Sequence, residues 1–191
     1  MNRTFACNGL TCRQLQLSNT MRRLWIEHVL WTRQFIISTA FELPDLSFVT
    51  QRLLQNPGDF AEILQPIYGK NAAVQFSRLF TDHLLIAAEL VNAAKAGNSA
   101  EAERQRKIWY DNAEEIAQLL CSVNCCRNEC RWKDMLFDHL RMTENEAVYI
   151  LTGEYQKGIN VYDAIQKEAL NMADAMTCGI IRNFKVSQSN C

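Results

Sequence analysis

The sequence predicts an all-α protein, an up-and-down bundle of four or five helices. Three observations carry that expectation. Apolar residues recur at spacings of three and four over long stretches, while alternation at period two is almost absent. Only seven glycines and three prolines interrupt 191 residues. All three prolines, Pro44, Pro57 and Pro66, fall in one connection, so the rest of the chain is free to run as long helices. Apolar residues make up 48% of the chain, enough for the core of one domain.

The first long helix is expected from Ser18, as N-cap, to about Glu42, where Pro44 stops it. Its apolar stripe runs through Met21, Leu24, Trp25, His28, Thr32, Phe35 and Ile36. The connection 44–69 holds the prolines and is expected to carry two short helices, about 46–54 and 59–64, across one end of the bundle. The second long helix spans about Asn71 to Ala96, with the stripe Phe76, Leu79, Phe80, His83 and Leu90, and Gly97-Asn98 closes it. Ser99 then caps a third helix to about Leu120, with Trp109, Asn112 and Ile116 inward. The turn between these two is so short that they must be antiparallel neighbours. A fourth helix runs from Arg131 to Leu151 with Trp132, Leu136, His139 and Thr143 on its stripe, and Gly153 ends it. A fifth covers about Ile159 to Arg182, either replacing the first in the core or packing outside it. The resulting division is a flexible N-terminal segment, 1–17, a single helical-bundle domain, 18–184, and a frayed tail, 185–191.

The net charge of −1 gives no electrostatic reason for a nucleic-acid or anionic-membrane partner. No apolar run is long enough to span a bilayer. The first seventeen residues lack the apolar stretch of a signal peptide, so a cytoplasmic location is expected. In that compartment eight cysteines read as free, metal-binding or redox-active thiols rather than disulfides.

The chain's three histidines sit in near-copies of one motif: Leu24-Trp25-Ile26-Glu27-His28-Val29, Leu79-Phe80-Thr81-Asp82-His83-Leu84 and Met135-Leu136-Phe137-Asp138-His139-Leu140. A fourth segment, Ile108-Trp109-Tyr110-Asp111-Asn112-Ala113, has Asn in place of His. Each histidine lies on a buried stripe, and each preceding acid points about 100° away. A polar layer of His28, His83, His139 and Asn112 is therefore expected in the core. Three imidazoles with an amide or water would suit zinc or iron. The carboxylate-rich di-iron arrangement is excluded, because Trp25, Phe80 and Leu136 stand where its Glu-x-x-His pattern needs Glu. The alternative is a buried hydrogen-bond network, served by Thr32, Thr143 and Asn112, that fixes helix register.

A second candidate site is the cluster Cys121, Cys125, Cys126 and Cys130, between the third and fourth helices. Its thiolates would suit zinc or copper(I), although the spacing is not that of structural zinc sites. No glycine-rich phosphate cradle or nucleophile elbow is present, and no nucleophile–base pair stands out, so neither a reaction nor its absence is assigned.

Several strings occur together: Leu24-Trp25, His28-Val29, Trp31-Thr32-Arg33, Asn56-Pro57, Asp59-Phe60-Ala61, Tyr68-Gly69, Trp109-Tyr110-Asp111-Asn112-Ala113 and Met142-Thr143. In this combination, from about Arg22 to Phe184, the chain resembles a family of small, uncharacterised all-helical proteins from Gram-positive, largely spore-forming bacteria. Relatives sometimes carry the label acetylglutamate kinase, a glycine-rich α/β enzyme class that a helical chain does not match. The resemblance places the family's histidines on His28, His83 and His139. It implies no established activity. Asn124-Cys125-Cys126 departs from the family's pattern of an Asn-Pro break. The expected function is a metal-ion-binding bundle with a histidine layer. Its rival is a structural or interaction bundle, with a homo-oligomer through Trp- and Phe-rich surfaces left open.

Overall fold

The computed structural model describes residues 11–123 and 129–188, with side chains over 11–123 and 131–183. These residues form seven α-helices and no strand: α1 (Cys12–Ala40), α2 (Leu46–Leu53), α3 (Asn56–Tyr68), α4 (Lys70–Lys95), α5 (Ser99–Val123), α6 (Glu129–Leu151) and α7 (Tyr155–Gln188). The all-helical reading and the order of long and short elements hold.

The differences lie at helix ends, and each has a local cause. α1 begins at Cys12, not Ser18, because Thr11 and Gln14 form a reciprocal capping box. The Thr11 hydroxyl accepts from the Gln14 amide at 3.3 Å, and the Gln14 side chain accepts from the Thr11 amide at 2.9 Å. α3 is longer at both ends than expected. Pro57 lies in its first turn, where a missing N–H costs nothing, and Pro66 is absorbed near the other end. The cap of α5 is Asn98 rather than Ser99, for the Asn98 side-chain Oδ1 accepts from the Glu101 amide at 3.2 Å. Gly97, at φ 70°, supplies the left-handed turn after α4, and the Asn98 amide returns to the Ala93 carbonyl. α7 starts at Tyr155 and its backbone stays helical to Gln188.

Neighbouring helices pack in chain order: α3 on α4, α4 on α5, α5 on α6 and α6 on α7. α7 then packs along α1, held at the surface by a two-pronged Arg22–Asp174 ion pair with both bonds at 2.7 Å. Thus α7 neither replaces α1 nor stays outside. Ile165, Ala169, Met172, Ala173 and Met176 from α7 are buried in the main core with Leu24, Trp25, Phe80, Ile116 and Leu136. Each large apolar side chain so enclosed stabilises the fold by roughly 1.5–3 kcal/mol before the entropy of ordering is subtracted. α3 is pinned to α1 by the fully buried Asn56, whose amide donates to the Leu24 carbonyl at 3.1 Å. No helix among the described residues is long and apolar enough to cross a membrane.

Candidate functional site

Spacing of three and four on each helix turns the histidines inward, and all three are 2% exposed. Asn112 is 7% exposed. The acids before them turn away, as the 100° step requires. Glu27 meets Arg23 and Arg52, Asp82 meets Arg78, Asp111 meets Lys107 and Asp138 meets Arg141.

Within the layer the four residues divide into two couples. His28 of α1 faces His139 of α6, with the two Nε2 atoms 3.4 Å apart. His83 of α4 meets Asn112 of α5, with Nδ1 2.9 Å from the amide oxygen. Phe80, one turn before His83, packs against both His83 and His28, with ring centroids 5.9 and 4.9 Å away. Trp109 closes the other side of His83 at 5.2 Å, and Trp25 meets His28 edge-on at 5.8 Å. The polar layer is therefore a row of rings with Phe80 inside it. Among the described residues no three His, Cys, Asp or Glu side chains converge as a ligand set for a metal ion.

The second couple has a fixed proton. The Asn112 amide nitrogen donates to the Leu79 carbonyl at 3.1 Å, which turns the amide oxygen toward His83. An oxygen acceptor there requires the proton on Nδ1 and leaves Nε2 with its lone pair. Asn112 thereby fixes both the tautomer and the orientation of the His83 ring. The first couple has no such support. Both His28 Nδ1 and His139 Nδ1 are buried with no hydrogen-bond partner among the described residues.

Thr32 and Thr143 do not serve the rings. Each hydroxyl returns to the carbonyl of the histidine four residues before it, at 2.8 Å on α1 and 2.9 Å on α6. Burial lowers the pKa of all three histidines. It takes His83 down to about 4 against the opposing effect of the Asn112 bond, and His139 to about 3 with help from His83. His28 falls well below its ordinary value through burial and then through its two histidine neighbours. All three are neutral at pH 7, the state a metal ligand needs.

Further along the same α1/α6 seam lies a buried charged group. Glu146, the one acid on a buried stripe, is 1% exposed and forms an ion pair with Arg33 of α1. The Arg33 guanidinium also lies 4.7 Å from the centre of the Tyr162 ring of α7. Burial pushes the Glu146 carboxyl up to about 7 despite that cation. Of the cysteine cluster, Cys121 is half-buried near the end of α5. Cys125 and Cys126 lie outside the described residues, as does the side chain of Cys130.

A cavity of about 420 Å³ adjoins the layer. Thr32 and Thr143 line it one turn beyond His28 and His139, and Trp109 lines it beside His83. No periodicity marks it in the sequence. It exists because alanines meet there from three helices, Ala87 and Ala88 of α4, Ala102 of α5 and Ala147 of α6.

Comparison of the chain with protein-family models, curated proteins and solved structures finds no match. The functional reading therefore rests on the geometry of the layer.

Proposed function

We propose that the protein is a metal-ion-binding up-and-down helical bundle whose primary ligands are the Nε2 atoms of His28 and His139. One observation carries the reading, the 3.4 Å between those atoms. Two nitrogens on a tetrahedral ion with bonds of 2.0–2.1 Å stand about 3.3–3.4 Å apart. The rings are neutral and buried, and imidazole suits zinc, iron or copper. With two protein ligands the remaining positions go to water or a bound molecule, the pattern of an open site rather than a closed structural one. His83 stands behind the pair as a neutral imidazole fixed by Asn112.

Elemental analysis of protein purified without a histidine tag tests this. The expected result is about one transition-metal ion per chain, lost in His28→Leu and in His139→Leu and retained in Asn112→Leu. A wild-type protein that is metal-free and takes up no added zinc, iron, copper or manganese overturns it. Unchanged metal content in Cys125→Ser/Cys126→Ser would separate the histidine site from the cysteine cluster.

The rival reading, a layer that only fixes register, is favoured by one observation: the Asn112 amide is satisfied on both sides within the bundle. On that reading the histidine variants change thermal stability alone, and metal makes no difference to it.

A further inference from the structure

We propose that the cavity between α1, α4, α5 and α6 is a binding site for a small amphiphile with an apolar body and a hydrogen-bond-donating head, an alcohol or an ammonium rather than a carboxylate. This does not depend on the metal reading.

The volume, about 420 Å³, lies in the range of small-molecule sites. An engineered cavity of roughly 150 Å³ already takes up benzene. The site opens to solvent past the exposed residues Ala94, Ser99 and Val148, so a ligand can enter it without unfolding a helix. The walls are apolar, with Phe35 and Ile36 from α1 facing Leu84 and Val91 from α4. They offer nothing to a charged body.

The head group is selected by the charged part of the lining, Arg106, Glu103 and Glu144, which ion pairs hold together. Arg106 is already engaged, 2.8 Å from Glu144 and 3.6 Å from Glu103. One guanidinium between two carboxylates leaves a net negative rim rich in acceptors. A ligand carboxylate would have to displace Glu144 from Arg106 and face Glu103. A hydroxyl or ammonium finds an acceptor at once. Glu144 is mostly enclosed, and an enclosed carboxylate favours a donor close to it.

Displacement of N-phenyl-1-naphthylamine, followed by its fluorescence, tests the inference with 1-decanol, decylammonium and decanoate as competitors at pH 7. The probe is expected to bind. Decanol and decylammonium are expected to displace it at concentrations at least tenfold below decanoate. Ala147→Phe fills the cavity and is expected to weaken probe binding tenfold or more. Ala94→Trp at the mouth gives the same test without touching the interior if Ala147→Phe fails to fold. Glu144→Gln is expected to erase any preference for decylammonium over decanol. Absence of probe binding, equal binding by decanoate, or unchanged binding in a folded cavity-filling variant would each overturn the proposal. The same titrations after metal chelation keep its fate separate from that of the histidine pair.

Discussion

On the α1/α6 seam two histidines face each other through their Nε2 atoms, and an Arg33–Glu146 pair follows along the same two helices. On the α4/α5 seam one histidine meets an asparagine whose amide is bonded at both its oxygen and its nitrogen. The sequence motif is nearly the same on all four helices. What stands opposite decides its use. An amide fixes a proton and closes its seam. A second imidazole fixes none, and it leaves both Nδ1 atoms unpartnered. The α4/α5 seam is therefore held in one arrangement by its hydrogen bonds, and the α1/α6 seam is the one in which two ring nitrogens face each other.

The largest effect should come from the charged end of the α1/α6 seam. Glu146→Leu leaves the Arg33 guanidinium enclosed without its anion, and breaking one partner of a buried pair costs about 3–5 kcal/mol. Thermal or denaturant unfolding measures it. A loss below 1 kcal/mol would mean that Arg33 escapes to solvent and that the seam is looser than the α4/α5 one.

Acid should then separate the seams by proton count. The histidines are neutral when folded and regain ordinary affinity near 6.5 when unfolded, so the unfolded chain binds more protons as pH falls. Their contribution is whole above pH 6.5 and is lost down to about pH 4 for His83 and about pH 3 for His139. Near pH 4 each of these two shares approaches about 3 kcal/mol. Glu146, raised to about 7, and Glu168, raised to about 8 by burial and then by Asp138, act the other way. They hold protons that the unfolded chain releases above 4.5, so their contribution grows as pH falls to that value. Stability should change little between pH 7 and 4.5 and drop steeply below. A stability curve that rises continuously toward pH 3 would contradict the buried neutral histidines.

Asn112→Leu comes next. It strands the His83 Nδ1–H, for a loss of about 1–3 kcal/mol, while the Leu79 carbonyl keeps its bond within α4. Metal content should not move, since Asn112 belongs to the closed seam. Loss of metal together with stability would place His83 among the ligands and erase the distinction between the seams.

The inward stripes, the proline-rich connection and the outward acids were all legible, because period and stop signals are local properties of the chain. The split of the layer was not, because it depends on which helix lies opposite which. One local signal did separate the couples. His28 and His139 are each followed at the fourth position by threonine, Thr32 and Thr143, whereas His83 is followed by Ala87. Those threonines look like ring partners in sequence, but a hydroxyl on a helix reaches its own i−4 carbonyl first. The Thr11–Gln14 capping box is a local signal of the same kind. The alanine-lined cavity was not readable, since alanine at a buried position signals tight packing as often as space.

The smallest effect is expected from removing the histidine couple as a unit. His28→Leu alone leaves His139 Nε2 buried without its neighbour, and His139→Leu does the same to His28. Each single change should cost about 1–3 kcal/mol in metal-free protein. The double variant removes all four ring nitrogens, two of which already lack partners, and fills the space with apolar atoms of similar bulk. Replacing both members of a buried polar pair is often neutral or stabilising. Its stability should lie within about 1 kcal/mol of metal-free wild type, with the singles strongly non-additive in a double-mutant cycle. Repeating the cycle with zinc present sharpens the contrast. Wild type should gain stability from the ion and the double variant should not, since only a folded chain with both lone pairs rewards binding. If the double variant is instead several kcal/mol less stable without metal, the couple is an essential register device, and the α1/α6 seam is as closed as its counterpart.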